Sequence, residues 1–275
     1  MIYGGCGVYK AILIDVDGVI KQGKTLIPRV DKAIGIMRER SVRFMLVTNN
    51  STKTPQVLSG ELNASGLVIK EKEIMTSSQV LMSLLKQSAK LHSKAVSGVY
   101  VVGESGLIEE LRSNGYTLTS DVTRGVVAVG LDRGFTYTKL ATATRSIMLG
   151  ASYICTNTDR TYPTEDGLMP GAGSIAASIT AATGRRPLIV GKPSKTFFKQ
   201  ALRRLGGDLS VSDVLIVGDR PETDIKMANL VGCDSVLVLS GVTKNAAKLR
   251  GLYKPTYVFS DLYEAVEKLL STPVG

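Results

Sequence analysis

A-I-L-I-D-V-D-G-V-I, at residues 11–20, is the segment from which the rest of the chain is interpreted. An apolar run at residues 11–14 leads directly into Asp15, and a short apolar run that ends in a turn is typical of a strand buried on both faces of a parallel sheet. Asp17 and Gly18 supply the turn signal. In strand geometry Asp15 and Asp17 point the same way, about 7 Å apart along the chain. Their carboxylates repel each other unless a cation or a proton lies between them, and a plain polar turn is the alternative interpretation.

Strand-like and helix-like patterns alternate along the whole chain. Short apolar runs are separated by amphipathic helical stretches, and they lie at residues 42–47, 99–102, 126–129, 188–190, 214–217 and 236–239. This alternation predicts an α/β protein built from right-handed βαβ units with parallel sheets. Neither an internal repeat nor a low-complexity linker marks a domain boundary.

The composition is that of a globular protein, with 44% of the 275 residues hydrophobic and 21% charged. Since no apolar run approaches the roughly 20 residues that span a membrane, we expect no membrane partner. No basic stretch precedes an apolar one near the N-terminus, so we expect no secretion signal. The three cysteines are far apart and show no metal-binding spacing, which predicts free thiols in a reducing compartment, the cytoplasm.

The net charge of +10 raises nucleic acid as a partner. The basic residues, however, are spread along the chain and form only short pairs such as Arg185-Arg186 and Arg203-Arg204. A diffuse positive field favours small anionic substrates, so we expect no nucleic-acid polymer as partner. His92 is the only histidine and lies in a polar stretch, which argues against a histidine-dependent phosphatase and a serine–histidine hydrolase.

Polar side chains with complementary chemistry follow four of the predicted strands. In chain order they are Asp15 and Asp17, then Thr48 and Asn49, then Lys192, then Asp219 with Asp224. In open α/β sheets the ligand binds beyond the carboxyl ends of the strands. Carboxylates for a hard cation, hydroxyl and amide donors and one ammonium group together fit Mg²⁺ with a phosphate.

Four short segments resemble the motifs of the haloacid dehalogenase-like phosphatases: D-V-D-G-V (15–19), V-T-N-N-S (47–51), G-K-P (191–193) and G-D-R-P-E-T-D (218–224). Three longer strings, T-N-T-D…P-G-A-G-S, A-A-T-G-R-R-P-L-I-V-G-K-P-S and V-L-V-L-S-G-V-T, are similar to the NagD-type branch, which includes 4-nitrophenyl phosphatases and phosphoglycolate phosphatases. The resemblance extends from about Lys10 to Asp261.

This resemblance implies a Rossmann-like parallel-sheet core domain, made of residues 1–78 and 187–275, with an inserted α/β cap domain at 79–186. One continuous sheet is the structural alternative. The implied activity is a Mg²⁺-dependent phosphomonoesterase that acts on small phosphorylated metabolites, such as sugar phosphates, nucleotides, phosphoglycolate or 4-nitrophenyl phosphate. Cap-mediated dimers occur among similar proteins, so a homodimer is a further expectation.

The resemblance also implies roles for the acidic residues. Asp15 attacks phosphorus and forms an aspartyl-phosphate, while Asp17 acts as general acid and then as general base. Asp15, the backbone carbonyl of Asp17 and Asp219 hold the Mg²⁺. Asp224 orients a metal-bound water or Lys192. The alternative for Asp224 is an exposed carboxylate in the first turns of the following helix.

By the same resemblance, Thr48 and the Asn49 amide hold phosphoryl oxygens, and Lys192 offsets charge that develops in the transition state. A solvated lysine before a helix start is the alternative for Lys192. Four cap residues that follow strands are candidates for substrate contacts, with loop capping as the alternative: Asp132, Arg133, Asn157 and Asp159.

Other functions of the same residues stay open at this point. A phosphotransferase or phosphomutase differs only in what accepts the phosphoryl group. A receiver domain that signals without turnover also combines acidic residues, a hydroxyl and a lysine, but such domains are much shorter. A phosphate-binding protein without catalysis is the third alternative, although Asp15, Asp17, Lys192 and Asp219 are all present.

Overall fold

The computed structural model of the chain describes residues 9–92, 98–120, 123, 125–164 and 167–270. Cys6 and the side chain of His92 lie outside this description. The strands are β1 (Ala11–Asp15), β2 (Lys21–Gln22), β3 (Thr25–Leu26), β4 (Arg43–Thr48), β5 (Ile74–Thr76), β6 (Val99–Val102), β7 (Val126–Val129), β8 (Ser152–Cys155), β9 (Thr161–Thr164), β10 (Gly167–Pro170), β11 (Leu188–Ile189), β12 (Val214–Gly218), β13 (Asp234–Val238) and β14 (Tyr257–Phe259). The helices are α1 (Val30–Glu39), α2 (Pro55–Ala64), α3 (Ser77–His92), α4 (Ser105–Ser113), α5 (Tyr137–Met148), α6 (Ala172–Thr183), α7 (Lys195–Leu205), α8 (Lys226–Val231) and α9 (Leu262–Leu270).

The chain forms two compact units, and the first contains residues 9–48, 59–75 and 197–270 of the described chain. Its sheet has the strand order β14-β13-β12-β1-β4-β5, with β1 inside the sheet and parallel to both of its neighbours, β12 and β4. The residues of β1 are all buried, as the apolar run predicted. The predicted α/β class with parallel sheets is therefore confirmed.

Helix α1 shows how the sequence pattern builds this unit. Val30, Ala33, Ile34 and Met37 recur at helical spacing and are all buried, so they form one apolar face. Helix α1 packs against α9, whose own buried face has the same periodicity. A short antiparallel hairpin of β2 and β3 follows directly after the turn at Asp17.

The second unit contains residues 49–58 and 76–196 of the described chain. Its sheet has the order β11-β8-β7-β6, and all of its strand pairs are parallel. The buried core of this unit lies between the sheet and helices α5 and α6, and it includes Val127, Ile147, Tyr153 and Ile179. The antiparallel hairpin of β9 and β10 was not predicted.

The structure corrects the placement of the strand predicted at 188–190. That strand was assigned to the core domain, but Leu188 and Ile189 pair with Ile154 and Cys155 of β8 in the second unit. An apolar run predicts a buried strand but not its partner, because pairing depends on residues distant in the chain. The assignment of 1–78 and 187–275 to a core and of 79–186 to a cap otherwise stays a prediction.

Among the residues that the structure describes, none of the helices has the length and apolar character needed to cross a membrane.

Candidate active site

Three buried carboxylates come together in the first unit, and we call them the acidic cluster: Asp15, Asp219 and Asp224. Asp15 is the last residue of β1, and Asp219 follows the end of the neighbouring parallel strand β12, where Ile14 is paired with Val217. One carboxylate oxygen from each of the three residues lies within 4.8 Å of the other two. Asp219 and Asp224 are fully buried, and Asp15 is 7% exposed.

The backbone around Asp219 holds its carboxylate in place. The Val242 N–H donates a hydrogen bond of 2.6 Å to Asp219 Oδ2. Gly18, with φ at +87°, and Gly241 leave no room for a side chain beside this carboxylate. The Ser240 hydroxyl also donates to the Gly18 carbonyl at 2.7 Å, so the turn after Asp17 is tied to the segment that follows β13.

The acidic cluster fits a magnesium ion by the chemistry of its donors. Oxygen ligands from carboxylates are those that Mg²⁺ takes in proteins. Three buried carboxylates that face one another are costly without a counter-charge, since burial and like charge both disfavour the ionised form. Asp15, Asp219 and Asp224 are therefore the residues that would hold the ion.

Asp224 occupies a different environment from the exposed helix end considered as the alternative. It lies in a single π-helical turn, Pro221–Ile225, and its side chain is fully buried. Its Oδ2 accepts hydrogen bonds from the Thr223 hydroxyl at 3.1 Å and from the Arg220 N–H at 3.4 Å. The exposed-carboxylate interpretation is therefore wrong, because the π-helical turn directs Asp224 towards Asp15 and Asp219.

Asp17 differs from the residues of the acidic cluster because it is exposed to solvent. Asp15 and Val16 are buried, whereas Asp17 is exposed at the bend after β1. The bend is held by the Gly18 N–H, which donates to the Lys21 carbonyl at 2.7 Å. An exposed carboxylate two residues from a buried one can exchange protons with solvent, which suits an acid–base group.

Thr48 lies at the same edge of the sheet as Asp15. Val47 is paired with Asp15 in the register of β1 and β4, and Thr48 is the next and last residue of β4. Its side chain is 2% exposed. The first unit thus places the predicted nucleophile and the predicted phosphate-binding hydroxyl at neighbouring strand ends.

Asn49 and Lys192 come together in the second unit, although 143 residues separate them in the chain. The Lys192 N–H donates to Asn49 Oδ1 at 2.8 Å, and Asn49 Nδ2 donates to the Lys192 carbonyl at 3.1 Å. Both residues are buried. We call this pair of hydrogen bonds the Lys192 clamp. The interpretation of Lys192 as a solvated lysine is wrong, since its side chain is 2% exposed.

The four candidate cap residues each have partners within the second unit. Asp132 is buried and binds Lys139 at 2.6 Å, and it also accepts from the Gly134 N–H at 3.0 Å. Asn157 donates to the Asn49 carbonyl at 2.8 Å, and its Oδ1 accepts from the Asp159 N–H at 3.1 Å. These contacts are those of loop capping, so substrate contacts by these residues stay a prediction.

Arg133 has an acidic partner that the sequence pattern did not indicate. Its Nε donates to Glu104 at 2.8 Å, and its backbone N–H donates to the same carboxylate at 2.9 Å. This Arg133 guanidinium holds the pKa of the Glu104 carboxyl below its usual range. The Arg133 side chain is 65% exposed, so the ion pair leaves it accessible to solvent.

The two described cysteines do not offer a nucleophile. Cys155 and Cys233 are buried and are not joined in a disulfide. Burial raises the pKa of both thiols to about 12, so they stay protonated at neutral pH. Neither of these two cysteines therefore offers a thiolate nucleophile at neutral pH.

Gly241 is a supporting position that sequence reasoning missed, although it lies in the string V-L-V-L-S-G-V-T. Replacing it with alanine would place a Cβ against the Asp219 carboxylate, which must then move. We expect Gly241→Ala to weaken the apparent affinity for Mg²⁺ by about 10-fold or more, as supporting changes at metal sites do. The Mg²⁺ dependence of thermal stability measures this effect.

Gly35→Ala is the matched control, since this glycine lies in helix α1 with open space around the new Cβ. We expect it to leave the Mg²⁺ dependence unchanged and to raise stability by up to about 1 kcal/mol, because alanine has the higher helix propensity. An unchanged Mg²⁺ affinity in Gly241→Ala would contradict the proposed support of Asp219.

The sequence matches the family described as haloacid dehalogenase-like hydrolase over residues 12–117, and a second family described as HAD-hydrolase-like over residues 189–265. A protein named 5'-nucleotidase YutF from Bacillus subtilis is 37% identical over 256 residues, which cover 93% of this chain and 97% of that protein. A dihydroxyacetone phosphatase from Corynebacterium glutamicum is also 37% identical, over 93% of this chain and 90% of that protein.

Solved structures of phosphatases share the fold. A p-nitrophenyl phosphatase from Archaeoglobus fulgidus is 35% identical with a TM-score of 0.85, and the match covers 95% of this chain and all of that one. A glycerol phosphate phosphatase from Mycobacterium tuberculosis, solved in complex with magnesium, is 31% identical with a TM-score of 0.82, over 94% of this chain and 76% of that one. NagD from Escherichia coli is 27% identical with a TM-score of 0.83, over 94% of this chain and 98% of that one.

Proposed function

Since the chain belongs to the haloacid dehalogenase-like hydrolases and is a phosphatase of the NagD type, we propose that it hydrolyses small phosphorylated metabolites in a Mg²⁺-dependent reaction. The observation that carries this proposal is the acidic cluster at the ends of two neighbouring parallel strands. Asp15 ends one strand and Asp219 follows the other, while the exposed Asp17 lies two residues beyond Asp15.

In the first step, a carboxylate oxygen of Asp15 attacks the phosphorus of the substrate. The bond between phosphorus and the leaving oxygen breaks, and an aspartyl-phosphate forms on Asp15. Asp17, protonated at this stage, gives its proton to the leaving alcohol. Asp17 is exposed two residues beyond the buried Asp15, so it can exchange its proton with solvent between the two steps.

In the second step, Asp17 takes a proton from a water molecule that attacks the phosphorus of the aspartyl-phosphate. The bond between phosphorus and Asp15 breaks, which releases inorganic phosphate and restores the Asp15 carboxylate. Splitting hydrolysis into two steps lowers each barrier, because each displacement has a positioned nucleophile and a positioned proton carrier.

Asp15 and Asp219, with the backbone carbonyl of Asp17, would hold Mg²⁺, and Asp224 either joins them or orients a bound water. The ion would supply positive charge to offset the carboxylate and phosphate charges. A magnesium-bound relative of the same fold supports this cofactor. The donor set of the acidic cluster supports it independently.

Thr48, Asn49 through its backbone N–H, and Lys192 are the proposed phosphate-binding residues. Thr48 offers a hydroxyl at the strand end beside Asp15. The Lys192 ammonium group would offset charge on the phosphoryl oxygens in the transition state. We assign these roles from the family motifs V-T-N-N-S and G-K-P.

The substrate is a phosphate ester of a small metabolite. Relatives and neighbours are named for nucleotides, dihydroxyacetone phosphate, glycerol phosphate and p-nitrophenyl phosphate. The net charge of +10 without a basic stripe favours such small anions. The candidates for contacts with the substrate stay the four predicted residues Asp132, Arg133, Asn157 and Asp159.

The first test measures phosphate release from 4-nitrophenyl phosphate with Mg²⁺, then with EDTA, then after Mg²⁺ is restored. We expect turnover with Mg²⁺, a loss of at least about 10²-fold with EDTA, and recovery when the ion returns, because the acidic cluster then regains its counter-charge. Circular dichroism in EDTA shows whether the fold persists. If Mg²⁺ produces no release at any pH, the proposal fails.

The acceptor of the phosphoryl group separates a phosphatase from a phosphotransferase. In a phosphatase, the amount of inorganic phosphate equals the amount of alcohol released, whatever alcohols are added. Excess glycerol or glucose that diverts phosphate into a new ester would instead identify a phosphotransferase.

A further inference from the structure

The side chain of Asn49 binds both backbone groups of a single residue, Lys192. Its Oδ1 accepts from the Lys192 N–H at 2.8 Å, and its Nδ2 donates to the Lys192 carbonyl at 3.1 Å. Asn49 is 8% exposed and Lys192 is 2% exposed, so water competes little for these groups. The backbone at Lys192 is therefore held at two points.

The second side-chain N–H and the backbone carbonyl of Asn49 are also engaged. A primary amide has two N–H groups, and Asn49 Nδ2 gives its second to Asp159 Oδ2 at 3.3 Å. The Asn49 carbonyl accepts from Asn157 Nδ2 at 2.8 Å and from the Ser77 hydroxyl at 2.9 Å. The side-chain amide thus has both of its N–H groups bound to the protein.

Gly191 shows that the local backbone accommodates this arrangement. A Cβ at residue 191 would lie 2.6 Å from Asn49 Oδ1 and against the Thr156 carbonyl. Any residue with a side chain would push Asn49 away from Lys192 or shift the end of β8. The sequence G-K-P therefore supplies the lysine and also the space that the Lys192 clamp needs.

We propose that Asn49 is a positioning residue that acts through the Lys192 backbone and does not bind phosphate with its own side chain. Asp159 and Asn157 support it by fixing its amide and its carbonyl. The inference rests on the proposed function, in which the Lys192 ammonium group offsets charge in the transition state. A fixed backbone limits where that group can lie, and such preorganisation lowers the barrier.

A double-mutant cycle tests this role with kcat/KM for 4-nitrophenyl phosphate and with the Kd of inorganic phosphate. We expect Asn49→Ala to lower kcat/KM by about 10²-fold, the size of effect of a 1 Å misplacement. In the Lys192→Ala background the same change should cost less than about 3-fold, since the group that it positions is absent. Equal losses in the two backgrounds would overturn the proposal.

Two further variants keep the test informative. Asn49→Asp keeps an acceptor for the Lys192 N–H but removes both N–H donors and places a carboxylate opposite Asp159. We therefore expect it to lower kcat/KM as much as Asn49→Ala does. Full activity in Asn49→Asp would overturn the two-point clamp. Asn229→Ala is the matched control, because Asn229 Nδ2 also binds two backbone carbonyls, of Leu252 and Lys254.

We expect Asn229→Ala to leave kcat/KM unchanged and to lower the melting temperature less than Asn49→Ala does, because its two hydrogen bonds are exposed. A purely structural role of Asn49 would lower activity in both Lys192 backgrounds, in step with stability. If the wild-type protein binds inorganic phosphate without turnover, the proposed function fails. The double-mutant cycle of Asn49 and Lys192, measured as the Kd of inorganic phosphate, then still tests the inference. If the protein neither binds nor releases phosphate, both fail.

Discussion

Asp15→Asn is expected to abolish phosphatase activity, with a loss on the order of 10⁴-fold or more in kcat. The amide cannot attack phosphorus, and no aspartyl-phosphate can form, so the two-step route is closed. Phosphate release from 4-nitrophenyl phosphate at saturating Mg²⁺ measures the effect. Retained turnover would mean that Asp15 is not the nucleophile.

The fold should survive this substitution. Asp15 is one of three buried carboxylates within 4.8 Å, so a neutral amide removes like-charge repulsion. Without Mg²⁺ we expect the melting temperature to stay unchanged or to rise. The stabilisation that added Mg²⁺ provides should shrink, because the ion loses a charged ligand.

Asp208→Asn serves as the control for the loss of one carboxylate. Asp208 pairs with Arg43 at 2.9 Å, but its side chain is 72% exposed. Such surface ion pairs contribute little to stability because water screens them. We expect this variant to keep the kcat and the Mg²⁺ response of the wild type.

Asp17→Asn is expected to slow both chemical steps, by about 10²- to 10⁴-fold for an alkyl phosphate. The loss in kcat/KM should be smaller for 4-nitrophenyl phosphate, because nitrophenolate leaves without being protonated. The second step still lacks its base, so one equivalent of nitrophenol should appear in a burst before slow turnover.

Stopped-flow absorbance and kcat/KM for the two substrates measure these effects. The parameter kcat/KM is the right comparison, since it reports the step that expels the leaving group. An equal loss in kcat/KM for glycerol phosphate and 4-nitrophenyl phosphate would argue against the acid role. Thermal denaturation should show little change, because Asp17 is exposed.

The segment at residues 11–20 shows what local patterns can predict. The apolar run correctly predicted a buried parallel strand, and the turn signal correctly predicted its end at Asp15. Both depend on residues close together in the chain, through side-chain burial and backbone turn preference. The α/β class follows in the same way from the alternation of such segments, and the family motifs lie at their ends.

The acidic cluster was predicted in part. Asp15 and Asp219 were proposed to share a metal because both follow apolar strands. The burial of Asp224 depends on a π-helical turn, and the support of Asp219 depends on Gly241 and Val242. No periodic pattern distinguishes a buried carboxylate in that turn from an exposed one at the start of a helix.

The sequence alone determined the class of fold, the family, and the chemical types of the side chains at the strand ends, because each depends on a short run of residues. Only the tertiary structure decided that β11 pairs with β8 and that Asn49 holds Lys192. These depend on hydrogen bonds between segments that are distant in the chain, 143 residues apart for Asn49 and Lys192. A backbone N–H or carbonyl has the same chemistry at nearly every residue, so its partner is selected by the folded geometry.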